Sequence, residues 1–365
     1  MYIHEKEDWP NFKWDDAKLA SLLAEVRHLQ GRLLGRMEAL GFNLREEATL
    51  QTLTEDVIKT SAIENEKLDK DQVRSSIARR LGIDIGGSAT KDRNVEGIVE
   101  VMLDATRNYN KPLSDKRLFG WHGALFPTGR SGLHEIVVGN WRNEKSGEME
   151  VISGVYGREK VHYKAPDHSL LKKETAAFLK WFEQKQDLEP VLKAGLAHFW
   201  FVSIHPFDDG NGRIARAIAD MQLSRSEGSN QRFYSMSSQI QKERNDYYDI
   251  LEACQKGSID ITAWMEWFLL CLKHAIGNAE GTLEAVLTKA KFWENNTDKA
   301  LNERQRKVLN RLLDGFEGKL TSSKWAAMMK CSQDTAGRDI NDLLEKGALV
   351  KDDAGGRSTS YSLNL

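Results

Sequence analysis

The sequence is poor in cysteine and has no long apolar run, and both absences exclude whole classes of protein. Its three cysteines, Cys254, Cys271 and Cys331, lie far apart and form no CxxC pair. This usage indicates a reducing compartment and argues against a disulfide framework or a zinc site. No apolar run reaches the roughly 20 residues that a membrane span requires. The N-terminal segment MYIHEKEDWPNFKWDD is polar and lacks the apolar region of a signal peptide, so we expect a cytoplasmic protein without membrane contacts.

An excess of positive charge is also absent. The 365 residues include 52 Lys and Arg against 54 Asp and Glu, which gives a formal net charge of −2. No overall polycation therefore argues for nucleic acid or an anionic membrane as the partner of the whole chain. The sequence shows no repeat of fixed period and no low-complexity tract. Its length is enough for about two or three domains.

Most of the chain has helical periodicity. Apolar residues recur at three- and four-residue steps from Asp15 to about Leu40 and again from about Arg45 towards Ile63. The later stretch GNWRNEKSGEMEVISGVYGREKVHYKAPD is rich in Gly and alternates apolar and polar residues, which predicts short strands or a hairpin. We predict a mainly α fold in three parts. These are an N-terminal helical extension over 1–95, a core over 96–280 and a C-terminal module over 300–365.

The stretch HPFDDGNGRIAR, residues 205 to 216, combines groups that suit phosphate binding. Gly210 and Gly212 allow the backbone to take a positive φ and to approach a ligand closely. The free N–H groups at the start of the following helix then point towards an anion, and the Asn211 side-chain amide can add to them. Arg213 and Arg216, one turn apart, provide planar and permanently charged groups for further phosphate oxygens.

Two further side chains of this stretch extend the prediction from binding to catalysis. Asp209 is a hard carboxylate suited to Mg²⁺, which commonly binds through one or two carboxylates together with substrate phosphates. His205 carries an imidazole that can take a proton from an incoming hydroxyl. Each feature alone is common in a structural role, but their combination predicts a triphosphate site with an adjacent base. The loop has neither the GKS or GKT of a Walker A motif nor the GxGxxG of a dinucleotide site.

HPFDDGNGRIAR resembles the signature of the Fic family, HPF-x-[D/E]-GNGR-x-x-R, at every defined position. The resemblance implies an α-helical Fic core that transfers AMP from ATP to a Ser, Thr or Tyr hydroxyl of a target protein. It makes His205 the general base and Asp209 the Mg²⁺ ligand. The residues that it assigns to ATP binding are Gly210, Asn211, Gly212, Arg213 and Arg216. The chemistry is then a substitution at the α-phosphorus, catalysed by positioning and by neutralising charge on the leaving pyrophosphate.

An upstream stretch, TSAIENE from Thr60 to Glu66, is similar to the inhibitory motif [S/T]-x-x-x-E-[G/N] of self-regulated Fic proteins. The match implies that Glu64, on a helix over about residues 46–66, pairs with Arg216 and denies that guanidinium to the γ-phosphate. The alternative is an ordinary solvated helix C-terminus rich in Ser and Glu. In some self-regulated relatives the same glutamate orients a water that removes AMP, so de-AMPylation is a second predicted activity.

Two other regions receive roles from the resemblance. Fic proteins place a β-hairpin flap beside the active site, and GVYGREKVHYKAP, residues 154–166, is the best candidate, with an edge that can pair with an extended segment of the target. The flap residues are Gly154, Val155, Tyr156, Gly157, Val161 and His162. YYDILEACQ lies where family members contact adenine, which makes Tyr247, Tyr248 and Gln255 candidates. Core packing of the two tyrosines is the alternative.

The residues after about Asn302 read as three helices followed by a two-stranded wing. This pattern resembles a winged helix-turn-helix module, with Thr335 to Leu344 as the recognition-type helix. A DNA-binding version requires a basic face, whereas residues 302–365 hold eleven Lys and Arg against nine Asp and Glu. We therefore favour docking or homodimerisation as the role of this module, with DNA as the alternative partner.

Together these patterns predict an autoinhibited protein adenylyltransferase that uses ATP with Mg²⁺ and modifies a target protein, with itself as a further substrate. The alternative is a DNA-binding transcriptional regulator whose Fic core senses nucleotide. Labelled ATP distinguishes the two, because only the enzyme leaves covalent label on protein.

Overall fold

The computed structural model describes residues 1–40, 42–85, 90–154, 158–316, 318–352 and 359–365. Within these ranges it contains fourteen α-helices and three two-stranded antiparallel sheets, which confirms the predicted mainly α class with small hairpins. The first seven helices are α1 (Asp16–Glu38), α2 (Phe42–Ile63), α3 (Lys70–Leu81), α4 (Arg93–Arg107), α5 (Asp115–Leu125), α6 (Leu171–Glu183) and α7 (Pro190–Ile204). The other seven are α8 (Asn211–Glu227), α9 (Met236–Lys242), α10 (Arg244–Gln255), α11 (Thr262–Asn295), α12 (Glu303–Leu313), α13 (Ser322–Met329) and α14 (Gln333–Glu345). The strands pair as β1 (Arg130–Ser131) with β2 (His134–Glu135), β3 (Glu150–Ser153) with β4 (Lys160–Lys164), and β5 (Leu349–Lys351) with β6 (Tyr361–Leu363).

The helix boundaries follow local capping chemistry. The side chain of Asp15 accepts the backbone N–H of Lys18 and so begins α1. Asp69 caps α3 in the same way. Such side chains satisfy N–H groups that have no partner within the helix. The two helices predicted over Asp15 to about Leu40 and from about Arg45 towards Ile63 agree with α1 and α2 to within a few residues at each end.

The centre of the molecule is α7, in which every residue from 191 to 204 is buried. A helix that is apolar on all faces belongs inside a core. α8 packs along α7, and the two helices are joined by the loop 205–210. The loop that carries the HPFDDGNGR residues is therefore held at both ends by buried helices.

The first residues of the chain pack against the core through aromatic side chains. The ring of Trp9 meets that of Trp200 at 6.4 Å, and Phe12 meets Phe199 at 5.7 Å, both edge to face. α1 then runs along α11, while α2 packs against α9 and α11. This packing directs the C-terminal end of α2 towards α8.

The C-terminal residues form a second core. Its buried members include Phe292 from the end of α11 and Trp325 from α13. Three helices, α12 to α14, precede the β5–β6 hairpin, and Leu320 bridges to Tyr361 beside it. The segment Thr335–Leu344 lies within α14. The helices and hairpin of the predicted module are thus present, and its classification as a winged helix stays a prediction.

A network of alternating charges joins this second core to the N-terminal helices. Lys289 donates to both Glu47 (2.9 Å) and Asp314 (2.8 Å). Arg74 pairs with the same two carboxylates, at 2.7 Å from Glu47 and 3.4 Å from Asp314. All four side chains are largely buried. Because Glu47 lies on α2, Lys289 and Arg74 link Asp314 of the C-terminal module to the helix that ends next to the HPFDDGNGR loop.

None of the helices in the described ranges combines the length and the apolar character needed to cross a membrane.

Candidate active site

His205 lies at the junction between α7 and the loop. Its backbone has a φ of 50° and a ψ of 58°, and its N–H bonds to Phe201 O, which ends the helix. Its imidazole Nδ1 is 3.1 Å from Val202 O. A carbonyl can only accept, so Nδ1 carries the proton and Nε2 presents a lone pair. Burial lowers the pKa of His205 to about 4, and the imidazole is neutral at pH 7.

The loop is braced from within by Asn211. Its Oδ1 accepts the N–H of Phe207 at 2.9 Å, and its Nδ2 donates to Phe207 O at 2.8 Å. Gly210 has a φ of 81°, and a Cβ there would lie 2.9 Å from the ring of Phe126. The side-chain amide of Asn211 is therefore engaged with the loop backbone rather than free for phosphate. This differs from the predicted use of that amide, and what Asn211 presents to a ligand is its place at the first turn of α8.

The two aspartates of the loop have different surroundings. Asp208 accepts the backbone N–H of Val137 at 2.8 Å. Asp209 accepts the N–H of Gly210 at 2.5 Å and the hydroxyl of Ser131. Asp209 lines the cavity described below, so it fits an Mg²⁺ ion that takes its other ligands from phosphate oxygens and water. Within the described ranges no group of three or more His, Cys, Asp or Glu side chains could hold a metal ion.

Arg216 is 2% exposed and contacts the end of α2 through its Nε and Nη2. Its Nε donates to the Thr60 hydroxyl at 2.7 Å, and its Nη2 donates to Thr60 O at 2.9 Å. Nη2 also lies 2.7 Å from Glu64 Oε1. Burial would lower the pKa of Arg216, but the Glu64 carboxylate raises it above its ordinary value. Glu64 is the carboxylate partner of this buried cation.

The end of α2 is shaped to present Glu64. Asn65 has a φ of 63°, and the N–H of Glu66 bonds back to Ser61 O at 3.0 Å. This is a helix C-terminus closed by a left-handed residue. A Cβ placed on Gly212 would overlap Glu64 Oε1. The carboxylate thus lies against the first turn of α8, where an anion would otherwise contact the backbone.

A second acidic residue of the same turn contacts the other arginine. Glu66 Oε2 is 2.7 Å from Arg213 Nη1, and Arg213 is buried with its guanidinium over the ring of Phe126. Burial raises the pKa of Glu66 despite the nearby Arg213. The end of α2 therefore engages both arginines of the motif.

A cavity of about 670 Å³ opens beside the loop. Of the residues predicted to form the site, the following line it: Glu64, His162, His205, Asp209, Gly210, Asn211, Gly212, Tyr247, Tyr248 and Gln255. Arg213 and Arg216 are buried in α8 behind the loop. Val155, Tyr156 and Gly157 lie outside the described residues, and Gly154 and Val161 belong to the β3–β4 hairpin without lining the cavity.

The three residues predicted near adenine differ in exposure. Tyr247 is buried, and its hydroxyl is 2.9 Å from His198 Nε2. Gln255 is also buried and donates to the Ser203 hydroxyl at 3.2 Å. Tyr248 is 38% exposed, with the guanidinium of Arg244 over its ring. Tyr248 is thus the one of the three with a face available to a base, while Tyr247 and Gln255 form the buried wall.

The β3–β4 hairpin forms another wall of the cavity. Its register shifts between Val151 and Ile152, which marks a bulge. His162 bonds through Nδ1 to Glu252 of α10, and the hydroxyl of Ser153 lies 2.5 Å from His162 Nε2. Hydrogen bonding from His162 lowers the pKa of Glu252 to about 2. One strand of the hairpin is thereby fixed to α10, and β3 is the outer strand.

Residues 112–223 match the Fic/DOC family. This segment is therefore similar to a Fic domain. Residues 2–83 match a domain of unknown function, DUF4172. The whole fold also resembles a Fic family protein from Desulfovibrio desulfuricans G20, with a TM-score of 0.54 and 22% identity over 94% of this chain and 95% of that one. A Fic domain-containing signalling protein from Bacteroides thetaiotaomicron has a TM-score of 0.52 and 16% identity, covering 71% of this chain and 98% of that one.

Among curated proteins, the chain is similar over part of its length to protein adenylyltransferase Fic from two mosquitoes. Identity is 28% over 234 residues with that of Aedes aegypti, which covers 63% of this chain and 42% of the relative. It is 27% over 246 residues with that of Culex quinquefasciatus, which covers 67% of this chain and 44% of the relative. The chain thus spans less than half the length of these relatives.

Several groups at the Fic domain site carry no sequence signal that we recognised. His122, on α5, is 3.2 Å from Asp209 O, and Ser131, on β1, donates to the Asp209 carboxylate. Arg142 donates to His205 O at 2.9 Å and so holds the backbone of the predicted base. Glu66 is adjacent to the inhibitory motif and could have been noted as a second acidic group there. The other three depend on contacts across more than 60 residues, which no local pattern reveals.

Proposed function

We propose that this chain is a protein adenylyltransferase that transfers AMP from ATP to a Ser, Thr or Tyr hydroxyl of a target protein, and that Glu64 holds it in a self-inhibited state. The observation that carries the proposal is the pairing of Glu64 with Arg216 beside a cavity lined by His205 and the Gly210–Gly212 backbone. The names of the mosquito relatives support the reaction class.

In the proposed reaction His205 acts first on the incoming hydroxyl. Its neutral imidazole, with Nδ1–H held by Val202 O, offers Nε2 to the hydroxyl proton. The deprotonated oxygen then bonds to the α-phosphorus of ATP, and the bond from that phosphorus to the pyrophosphate oxygen breaks. Arg213, Arg216 and the N–H groups that open α8 neutralise the phosphate charge as it moves to the leaving group. Mg²⁺ bound by Asp209 and the phosphates would add further charge neutralisation.

Inhibition in this scheme is competition for one guanidinium. Arg216 is buried, and its Nη2 is already paired with Glu64. Glu64 also lies against Gly212, so the carboxylate both blocks space and repels a phosphate. ATP that binds beside it is held without its γ-phosphate anchor, and its α-phosphorus is misaligned for attack.

The test uses two forms of radiolabelled ATP. With the label on the α-phosphate, protein that becomes covalently labelled carries AMP, and with the label on the γ-phosphate it stays unlabelled. We expect weak self-labelling of the wild type and stronger labelling of Glu64→Gly, both abolished by His205→Ala. Equal labelling from both forms of ATP, or none in Glu64→Gly with candidate targets present, would contradict the proposal.

Two finer activities belong to the same proposal. De-AMPylation requires Glu64 to orient a water, so release of AMP from modified protein by the wild type and not by Glu64→Gly would identify it. The β3–β4 hairpin, with Val161 and His162 on its inner strand, is the proposed docking flap for the target.

For the C-terminal module we propose a docking role rather than DNA recognition. The exposed stripe of α14 consists of Asp334, Arg338, Asn341 and Glu345, which is not a basic face. Asp314 of the same module contacts Lys289 of α11 and Arg74 of α3. This placement supports a role within the protein or with a second protein.

A further inference from the structure

Residues 131–139, between α5 and the β3–β4 hairpin, form hydrogen bonds with both aspartates of the loop 205–210. The hydroxyl of Ser131 donates to Asp209 Oδ2. The N–H of Val137 donates to Asp208 Oδ2 at 2.8 Å. Farther along, the N–H of Gly139 donates to His122 Nδ1 at 3.2 Å. Segment 131–139 therefore contacts this turn directly at two points and, through His122, at a third, although 70 or more residues separate Val137 from Asp208 and Ser131 from Asp209.

His122 transmits one of these contacts to the loop. Because its Nδ1 accepts from Gly139, its Nε2 carries the proton and donates to Asp209 O, 3.2 Å away. The ring also stacks on Phe207 with centroids 4.2 Å apart. The backbone of Asp209 is thus fixed from α5.

Ser131 is itself held by a small hairpin. It pairs with His134 across the β1–β2 turn, and Arg130 forms an ion pair with Glu135 at 2.7 Å. The N–H of Ile136 bonds to Gly129 O at 3.1 Å at the base of the turn. The hydroxyl of Ser131 therefore reaches Asp209 from a supported backbone and not from a loose loop.

These contacts leave the Asp209 carboxylate in one orientation. Its Oδ1 accepts from Gly210 and its Oδ2 from Ser131. A carboxylate has about four lone-pair positions, so two remain for a cation after both hydrogen bonds are made. Groups that orient a metal ligand in this way typically change metal affinity by about 10- to 100-fold when they are removed.

We propose that Ser131 is a positioning residue that orients the Asp209 carboxylate for Mg²⁺ bound with the nucleotide. The inference rests on the proposed function, since it takes Asp209 as the metal ligand. Ser131 does not touch the reacting atoms. Its contribution is to remove the rotational freedom that Asp209 would otherwise lose on binding the cation.

The experiment measures metal binding directly. Mn²⁺ is titrated into the protein with the α,β-methylene analogue of ATP, and free Mn²⁺ is followed by electron paramagnetic resonance, all in the Glu64→Gly background. We expect Ser131→Ala to weaken Mn²⁺ binding by about 10-fold or more. Ser131→Thr keeps the hydroxyl and should restore binding. With labelled ATP, Ser131→Ala should raise the Mg²⁺ concentration at half-maximal rate while the rate at saturating Mg²⁺ largely recovers.

A matched control is available on another hairpin. Ser362 also donates its hydroxyl to an aspartate, Asp352, at 2.5 Å, but it lies on β6 in the C-terminal module. Ser362→Ala should leave Mn²⁺ binding unchanged. Unchanged Mn²⁺ binding in Ser131→Ala, or equal loss in Ser131→Thr, would overturn the proposal even if Glu64→Gly labels protein with AMP. Loss of Mn²⁺ binding without any AMP transfer would instead support the role of Ser131 and contradict the proposed reaction.

Discussion

Glu64 Oε1 lies 2.7 Å from Arg216 Nη2, although 152 residues separate them in the sequence. Neither side chain could reach the other without the packing of α2 against the core beside α8. The contact joins the residues 2–83 that match DUF4172 to the Fic domain. This placement makes the N-terminal segment the source of the carboxylate that meets the motif arginine.

Replacing Glu64 by Gly should release Arg216 for the γ-phosphate. A charge-assisted pair of this kind is worth about 1 to 3 kcal/mol, so ATP affinity and self-AMPylation should rise by about tenfold or more. Glu38→Gly is a matched control, because Glu38 is an exposed glutamate at the end of α1. The measurement is covalent labelling of protein from ATP labelled on the α-phosphate, compared between Glu64→Gly, Glu38→Gly and the wild type. Equal labelling of Glu64→Gly and wild type would remove this residue from the mechanism.

Replacing Arg216 by Ala should abolish transfer whether or not Glu64 is present. The γ-phosphate then loses the guanidinium of Arg216, so removing Glu64 frees no partner for it. The measurement is AMP transfer by the single variant and by Glu64→Gly combined with Arg216→Ala. Substantial activity in the double variant would show that Arg216 does not hold the nucleotide.

Replacing His205 by Ala should reduce transfer by about 10²- to 10⁴-fold while ATP still binds. The Gly210–Gly212 backbone and both arginines are untouched by this change. Because the pKa of His205 is lowered to about 4, the base is already neutral from pH 5 upward. Its contribution to the rate should therefore stay level between pH 5 and 8 and fall only near pH 4. A rate that depends on a group with a pKa near 6.5 would argue against this imidazole.

The sequence revealed the motif side chains more completely than their surroundings. His205, Asp209 and Glu64 line one cavity. All three could be predicted from the sequence, because each belongs to a motif with a fixed local spacing. Ser131 and His122 belong to no such pattern, and only tertiary packing places them against Asp209. For Asn211 the sequence predicted the residue at the site but not the partner of its side chain. Its amide was expected at the phosphates, yet it bonds to Phe207, since closing a tight loop satisfies two backbone groups at once.

The helical fold was predictable for a related reason. α1 and α2 show their apolar spacing within the segment itself, and α1 also has its capping residue, Asp15, next to it. The charge network that links the C-terminal module to α2 was not predictable, because it depends on four charges from α2, α3, α11 and the end of α12. In the sequence, a single charged residue on a helix is interpreted as solvent-exposed, because its partners lie elsewhere in the chain.

Removing one of those charges tests how the C-terminal module is attached. Asp314→Ala leaves Lys289 and Arg74 with Glu47 as their remaining shared carboxylate, and removing one partner from a buried ion pair costs about 3 to 5 kcal/mol. Hydrogen exchange in α12 to α14 should become faster. Arg311→Ala is the control, since it removes only the exposed pair with Asp71 at the same interface and should cost less than about 1 kcal/mol. Equal exchange in the two variants would show that the network does not secure the module.

The last prediction concerns acid stability and His198. This imidazole is fully buried beside Tyr247, and burial, with Arg216 nearby, lowers its pKa to about 3. The unfolded chain takes up a proton near pH 6.5 that the folded chain refuses, so the contribution of His198 to stability is complete above pH 6.5 and declines as the pH falls towards 3.

His198→Phe removes that proton uptake while keeping an aromatic ring in place. Its free energy of unfolding, measured with urea at pH 5 and pH 7, should change less with pH than that of the wild type. The difference expected over this interval is about 2 kcal/mol, from 1.4 kcal/mol per pH unit below pH 6.5. The loss of the Tyr247 hydrogen bond lowers stability at both pH values equally and so cancels in the comparison. If the free energy of unfolding changed equally with pH in the two proteins, His198 would have to take up its proton in the folded state as well, which would contradict the lowered pKa.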